Sequence, residues 1–177
     1  SPDRQLLWFD WNLLEKVYFN FLSNAFKNVP DGGSVSVELN VKTLSELAFF
    51  IPAKSNKYKN EKIQYLTLSI QDNGVGIAPN ELEKIFRPFY QVAQNEHSKS
   101  GTGIGLSLSK AIIEMHHGIV WAENAPASGA VYKYIMPINK NLFSAEEITE
   151  STNNEAVLLN VELPDNAYEA DNSSKKQ

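Results

Sequence analysis

The spacing of apolar residues changes several times along the chain, and each change predicts an element. From Trp11 to Val29 the apolar positions Leu14, Val17, Tyr18, Phe21, Leu22, Ala25 and Val29 recur at helical spacing and make a broad face. Asp10 is placed as the N-cap, and Pro30-Asp31-Gly32-Gly33 ends the helix. Ser34–Val41 alternates strictly and predicts a strand, as does Gln64–Gln71. Leu6–Phe9 is a short apolar run that reads as an edge strand. Pro79 suits the first turn of a helix over Pro79–Phe86, which Arg87-Pro88 stops. A further helix, opened by the stretch Gly101–Leu106, runs to about His117, with Ile104, Leu108, Ala111, Ile112 and Met115 as its core face and Gly118 as its end. Gly118–Glu123 and Ala130–Met136 predict two strands paired through Asn124–Gly129. The stretch Lys42–Lys62 is long for a connection in a compact domain. It reads as a hairpin excursion with a strand extension or a short helix near Leu44–Phe49. Gln91–Ser100 is polar and reads as a mobile loop.

Composition adds a boundary. The chain is 42% hydrophobic, enough for a core, and carries a net charge of −5. That charge is concentrated: residues 141–177 hold eight acids against Lys175 and Lys176, while residues 1–140 are nearly balanced. Residues 1–140 are thus expected to form one domain. Residues 141–177, rich in Asn, Ser and Glu around the apolar patch Ala156–Val161, read as an acidic linker or tail leading to a further module. No basic field points to nucleic acid. The chain has no cysteine, so disulfides and thiolate metal sites are excluded, and an intracellular setting fits. No run of eighteen apolar residues is found, so a soluble segment without membrane contact is expected.

Three stretches carry candidate chemistry. The strand ending at Gln71 runs into Asp72-Asn73-Gly74-Val75-Gly76-Ile77. A carboxylate at the end of a buried strand needs a donor partner, and bare glycine backbone beside it admits close approach. The alternative is an Asp-Asn turn in a hairpin with no ligand. On the first helix, Asn20, Asn24, Lys27 and Asn28 line one stripe. A solvated face would do the same, but asparagine costs about 0.5 kcal/mol more than alanine inside a helix, so a stripe of amides points to use. Third, Gly101-Thr102-Gly103-Ile104-Gly105-Leu106 opens a helix, and free amides at a helix N-terminus suit phosphate. It is neither a P-loop, because Leu106 stands where Lys is needed, nor a dinucleotide fingerprint, because no strand precedes it. A flexible loop that merely needs glycine remains the other reading.

Taken in order and spacing, these stretches with Phe86-Arg87-Pro88-Phe89-Tyr90 between them resemble the ATP-binding catalytic domain of sensor histidine kinases, whose wider superfamily includes gyrase, the heat-shock-ninety chaperones and the mismatch-repair ATPases. The resemblance implies an α+β fold, a two-layer α/β sandwich with a mixed sheet of about five strands covered on one face by three helices. It implies ATP and Mg²⁺ as ligands. Asp72 would accept from the adenine amino group, a charge-assisted bond worth about 1.5–3 kcal/mol. Gly74, Gly76, Ile77 and Asn28 would border the base, and Asn24 would offer its oxygen to the metal. Asn20 and Lys27 would serve the phosphates and the transfer step. Gly101, Thr102, Gly103, Ile104, Gly105 and Leu106 would hold the phosphate chain, with residues 90–100 as a lid hinged on Phe86 and Phe89.

The resemblance also implies what is missing. The acceptor histidine lies on a separate helical-hairpin domain, and His97, His116 and His117 have no such setting; the latter two read as structural. Expected partners are therefore ATP or ADP, that phosphoacceptor domain and a downstream receiver domain, in the cytosolic part of a membrane-anchored sensor. Where the ATPase branches carry a water-activating glutamate stands Asn20, which is no base at neutral pH, so slow hydrolysis is implied. Asn28 replaces a common aromatic ring, Gln91 a lid arginine and His117 a glycine. These departures keep a second reading open, a nucleotide-binding module without phosphotransfer. A third, a gyrase- or chaperone-type ATPase, would need Glu15 as base.

Overall fold

Alternation in the strands and a 3.6-residue period in the helices sort the side chains onto two layers. A computed structural model of the chain describes residues 8–47, 63–92 and 102–148. Helix α1 (Trp11–Asn28) begins where the Asp10 side chain accepts from Leu13 N at 3.1 Å. It is followed by strand β1 (Val35–Thr43), a one-turn helix α2 (Leu44–Leu47) and strand β2 (Gln64–Asp72). Then come a 3-10 turn (Lys84–Phe86), helix α3 (Gly105–Met115), strands β3 (Ile119–Asn124) and β4 (Ala130–Pro137), and a second 3-10 turn (Lys140–Leu142).

The four strands form one sheet in the order β1-β2-β4-β3, and every pairing is antiparallel. Among the described residues the sheet is thus four-stranded and wholly antiparallel, where a mixed sheet of about five strands was expected. Trp8 and Phe9, the described part of the expected first strand, lie outside the sheet; Trp8 N only donates to Ile138 O at 3.3 Å. The α+β, two-layer character holds. The expected helix over Pro79–Phe86 is shorter than thought: only Lys84–Phe86 is helical, and in 3-10 form. Eight residues are too few to repay helix nucleation, and Pro88 drives Arg87 out of the α region, to φ −80° and ψ 142°. Both alternatives for the start of the insertion occur, since β1 extends to Thr43 and α2 follows directly. The rest of that insertion, residues 93–100 of the expected lid with His97, Gly101, and the tail beyond Ile148 lie outside the described residues.

The core lies between α1, α3 and one face of the sheet. Leu14, Val17, Phe21 and Ala25 of α1 pack on Leu66, Leu68 and Ile70 of β2 and on Tyr132, Tyr134 and Met136 of β4. Burying a side chain such as Phe21 stabilises the fold by about 1.5–3 kcal/mol. β4 is buried on both faces, which explains its nearly unbroken apolar sequence. Its outer face meets a small second cluster in which Leu47 of α2 packs on Tyr65 and Ile135. Among the described residues no helix is long and apolar enough to cross a membrane.

Close backbone packing fixes the turn between β3 and β4. Gly129 has φ +97°, and a Cβ there would lie 1.9 Å from the Asp72 carbonyl oxygen. Gly129→Ala is expected to cost more than about 1 kcal/mol, lowering the ligand-free thermal midpoint by about 4 °C or more in a calorimetric scan.

Candidate functional site

The end of β2 delivers Asp72 into the interior, where it is 1% exposed. Its Oδ1 accepts from two backbone amides, Gly74 N at 2.9 Å and Ala130 N at 3.1 Å. Its Oδ2 is buried and has no hydrogen-bond partner among the described residues. An unpaired buried carboxylate oxygen is costly, and the cost is removed by a ligand that donates there. The Tyr132 hydroxyl stands nearby, with its pKa pushed well up by burial and then by the Asp72 charge. It therefore stays protonated.

The loop after Asp72 is held by groups that the sequence did not single out. Asn124, at the end of β3, clamps Ile77 from both sides: Ile77 N donates to Asn124 Oδ1 at 2.8 Å, and Asn124 Nδ2 donates to Ile77 O at 2.7 Å. Ser128 Oγ donates to Gly74 O at 2.6 Å. Space for a Cβ at Gly74 is already taken by the Asn28 carbonyl oxygen, 2.0 Å from its ideal position, and at Gly76 by Asn124 Oδ1 at 2.8 Å. The protein's own packing thus demands these glycines. Asn124 gave one faint signal, an amide closing a strand before a turn.

The amide stripe of α1 is coupled to α3. Asn20 Nδ2 donates to Gly105 O at 2.9 Å and to Ser109 Oγ at 3.1 Å. Ser109 is fully buried and gives its own proton to Gly105 O. Asn24 Nδ2 donates to Asn20 O at 2.7 Å and Asn28 Nδ2 to Asn24 O at 2.8 Å. With their nitrogens turned back along the helix, Asn24 and Asn28 keep their amide oxygens for other partners. Lys27, in the last turn, is exposed and makes no ion pair among the described residues.

The second glycine stretch meets the Phe-rich turn. Phe89 N donates to Gly103 O at 2.9 Å, and a Cβ on Gly103 would lie 2.9 Å from the Phe89 carbonyl carbon. Phe89 is strained, with φ +61°, and is 76% exposed. The Tyr90 hydroxyl donates to Glu81, which also pairs with Lys84 at 3.1 Å. No side chain caps α3, so the amides of its first turn remain available, with exposed Thr102 and Ile104 before them and half-buried Leu106 anchoring the turn to the core. Asp72, Gly74 and Asn28 are thus brought together, as are Asn20 and Gly105, and Phe89 and Gly103. Gly101 lies outside the described residues.

His116 and His117 are occupied by structure. His116 Nε2 accepts from Asp10 N at 3.1 Å, and its Nδ1 faces Ile112 O at 2.8 Å, tying the end of α3 to the start of α1. His117 Nε2 lies 3.0 Å from Glu147 Oε1, with its ring against Phe143. A separate cleft on the outer face of the sheet, bordered by Glu38, Lys42, Thr67, Trp121 and Lys133, contains none of the site residues.

The family of histidine kinase-, DNA gyrase B- and HSP90-like ATPases matches residues 9–140, and the chain belongs to that family. Within it, the similarity is to the catalytic domains of sensor histidine kinases. The chain is 34% identical to TmoS of Ectopseudomonas mendocina over 131 residues, 73% of this chain and 12% of that protein. It is 31% identical to WalK of Bacillus subtilis over 138 residues, 77% of this chain and 20% of that protein. The chain therefore spans only a fraction of the length of these curated relatives. Among solved structures, the mycobacterial sensor histidine kinase MprB aligns with a TM-score of 0.53 at 25% identity, covering 73% of each chain. The catalytic domain of histidine kinase ThkA aligns with a TM-score of 0.54 at 25% identity, covering 73% of this chain and 69% of that one.

Asn20 and Lys27 are separable by stability. Asn20→Ala removes both hydrogen bonds to α3, although Ser109 still donates to Gly105 O, and should lower ligand-free stability by about 1–3 kcal/mol in urea unfolding. Lys27→Ala should change it by less than about 0.5 kcal/mol.

Proposed function

We propose that this domain binds Mg-ATP and presents its γ-phosphate to a histidine on a separate helical-hairpin domain, as the catalytic part of a two-component sensor kinase. One observation carries the reading: the buried, unpartnered Asp72 Oδ2 beside glycine backbone. The residues present fit a purine with an amino group, because that group is a donor and the pocket floor offers an acceptor. In this reading Gly74, Gly76, Ile77 and Asn28 border the base. The first-turn amides of α3, with Gly101, Thr102, Gly103, Ile104, Gly105 and Leu106, take the phosphates, favoured by the helix dipole. Phe89, bonded through its N–H to Gly103 O, borders the same end of α3.

Asn24, whose amide nitrogen is turned back to Asn20 O, would offer its amide oxygen to hold Mg²⁺, a hard cation that takes oxygen ligands. When bound, the metal neutralises phosphate charge. Lys27 lies one turn away and adds a mobile positive charge at the same end of α1. Asn20 has no basic group to activate water, and its amide nitrogen is committed to α3, so transfer is favoured over hydrolysis. The phosphate would pass from the acceptor histidine to a receiver domain, and the parent protein would sit at the cytosolic face of a membrane. A nucleotide-binding module without transfer is the second reading, favoured by the polar Asn28 at the base.

Calorimetric titration with ADP should show binding that strengthens with Mg²⁺. Asp72→Asn should weaken it by at least about tenfold, the loss of a charge-assisted bond, while shifting the ligand-free midpoint little. With ATP and a cognate hairpin domain supplied in trans, label should appear on histidine. Binding without label would select the non-transferring module.

A further inference from the structure

Tyr132 is a residue to which neither its sequence setting nor the kinase reading gives a role. It lies on the helix-facing side of β4, opposite Ile70 of β2, one step along the same face from the Ala130–Asp72 contact. Its ring packs on Phe21 with centroids 5.7 Å apart, and the residue is 3% exposed. Its hydroxyl lies beside the side-chain amide of Asn28 and within reach of the Asp72 charge. Asn28 also spends an N–H on Asn24 O at 2.8 Å, and its backbone carbonyl closes over Gly74. Asp72, Asn28 and Tyr132 therefore meet at the end of β2, two of them on β strands and one at the end of α1.

That corner has a defined polarity. Asp72 Oδ2 is an acceptor with no donor among the described residues. Burial pushes the pKa of the Tyr132 hydroxyl up, so it keeps its proton near neutral pH and can donate. An acceptor beside a donor complements one edge of one purine: the 6-amino group of adenine donates, and the adjacent ring nitrogen N1 accepts. Guanine presents the reverse, a carbonyl oxygen and an N1–H.

Resting on the nucleotide reading above, we propose that Tyr132 is a specificity-determining residue that donates its hydroxyl hydrogen to N1 of adenine while Asp72 takes the amino group. Asn28 is its positioning residue, holding the hydroxyl from the side. The pair substitutes a polar reader for the aromatic wall that the resemblance expects at position 28. Packing alone also accounts for a buried tyrosine ring, but not for a hydroxyl set against an amide and an unpartnered carboxylate.

The test uses the chain as it stands and Tyr132→Phe, which keeps the ring against Phe21. Binding is measured by calorimetry with ADP, GDP and 1-deaza-ADP, in which N1 is a carbon. The unmodified chain should bind 1-deaza-ADP about fivefold to tenfold more weakly than ADP. Tyr132→Phe should lose the same factor for ADP, lose nothing for 1-deaza-ADP and narrow the ADP-over-GDP preference. Equal binding of ADP and 1-deaza-ADP by the unmodified chain overturns the proposal without any variant. So does a Tyr132→Phe loss that is the same for both ligands, which marks a packing role. If Asp72→Asn weakens ADP while Tyr132→Phe does not, the nucleotide reading stands and this proposal alone fails. If the unmodified chain binds no adenine nucleotide, both fall.

Discussion

A carboxylate brought into a protein interior must be solvated by the protein, and Asp72 is solvated on one side only. Two backbone amides hold Oδ1, from the loop that follows it and from the first residue of β4. Oδ2 is left buried and bare. The arrangement fixes the end of β2, the start of β4 and the loop between Asp72 and Ile77 as one unit, because moving any of them strips a buried anion of its donors. It also defines what the unit can bind. A cation would satisfy Oδ2 by charge, but among the described residues no cluster of three metal-binding side chains surrounds it. A neutral hydrogen-bond donor would satisfy Oδ2 without a second charge.

The second constraint is the tie between the helices. α1 and α3 are not joined by apolar packing alone. Asn20 reaches across to the first turn of α3, and His116 reaches back from its end to the start of α1. These bonds set the height of the α3 N-terminus relative to the Asn24 and Lys27 end of α1. An anion seated on the α3 amides would then lie between two helices whose spacing is fixed by amide hydrogen bonds. Asn20 thereby acquires a structural duty besides any contact with phosphate.

The glycines acquire duties of the same kind. At Gly74, Gly103 and Gly129 the space of a missing Cβ is filled by backbone of a different segment: the end of α1, the Phe89 turn and Asp72 itself. The glycine boxes are thus places where distant pieces of main chain touch. Closeness of backbone to backbone is what lets loops from three elements form one floor.

Much of this was legible from residue order. The periods of α1, α3 and the four strands follow from burial on one face, a local consequence of each segment's own residues, and the boundaries fall within a residue or two of expectation. The carboxylate, the amide stripe and the glycine turn were visible as chemistry because those residue types are poor choices for plain helix or strand. The chain's own pattern failed where non-local forces decide. It could not say that Pro79–Phe86 would form only a 3-10 turn, since burial of Ile85 and Phe86 in the core holds a segment too short to be a stable helix. Nor could it give the sheet order, because strand alternation says which face is buried but not which neighbour is paired. Ser109 and Tyr132 were invisible, and Asn124 nearly so, for the same reason: a hydroxyl, a phenol and an amide are ordinary until the fold sets them against the Asn20 amide, Asp72 and the Ile77 backbone. Sequence fixed the chemistry available to each segment, and only the packing of α1 and the strand ends around Asp72 decided which of those groups meet, because hydrogen bonds act over a few ångströms and the chain separates their partners by dozens of residues.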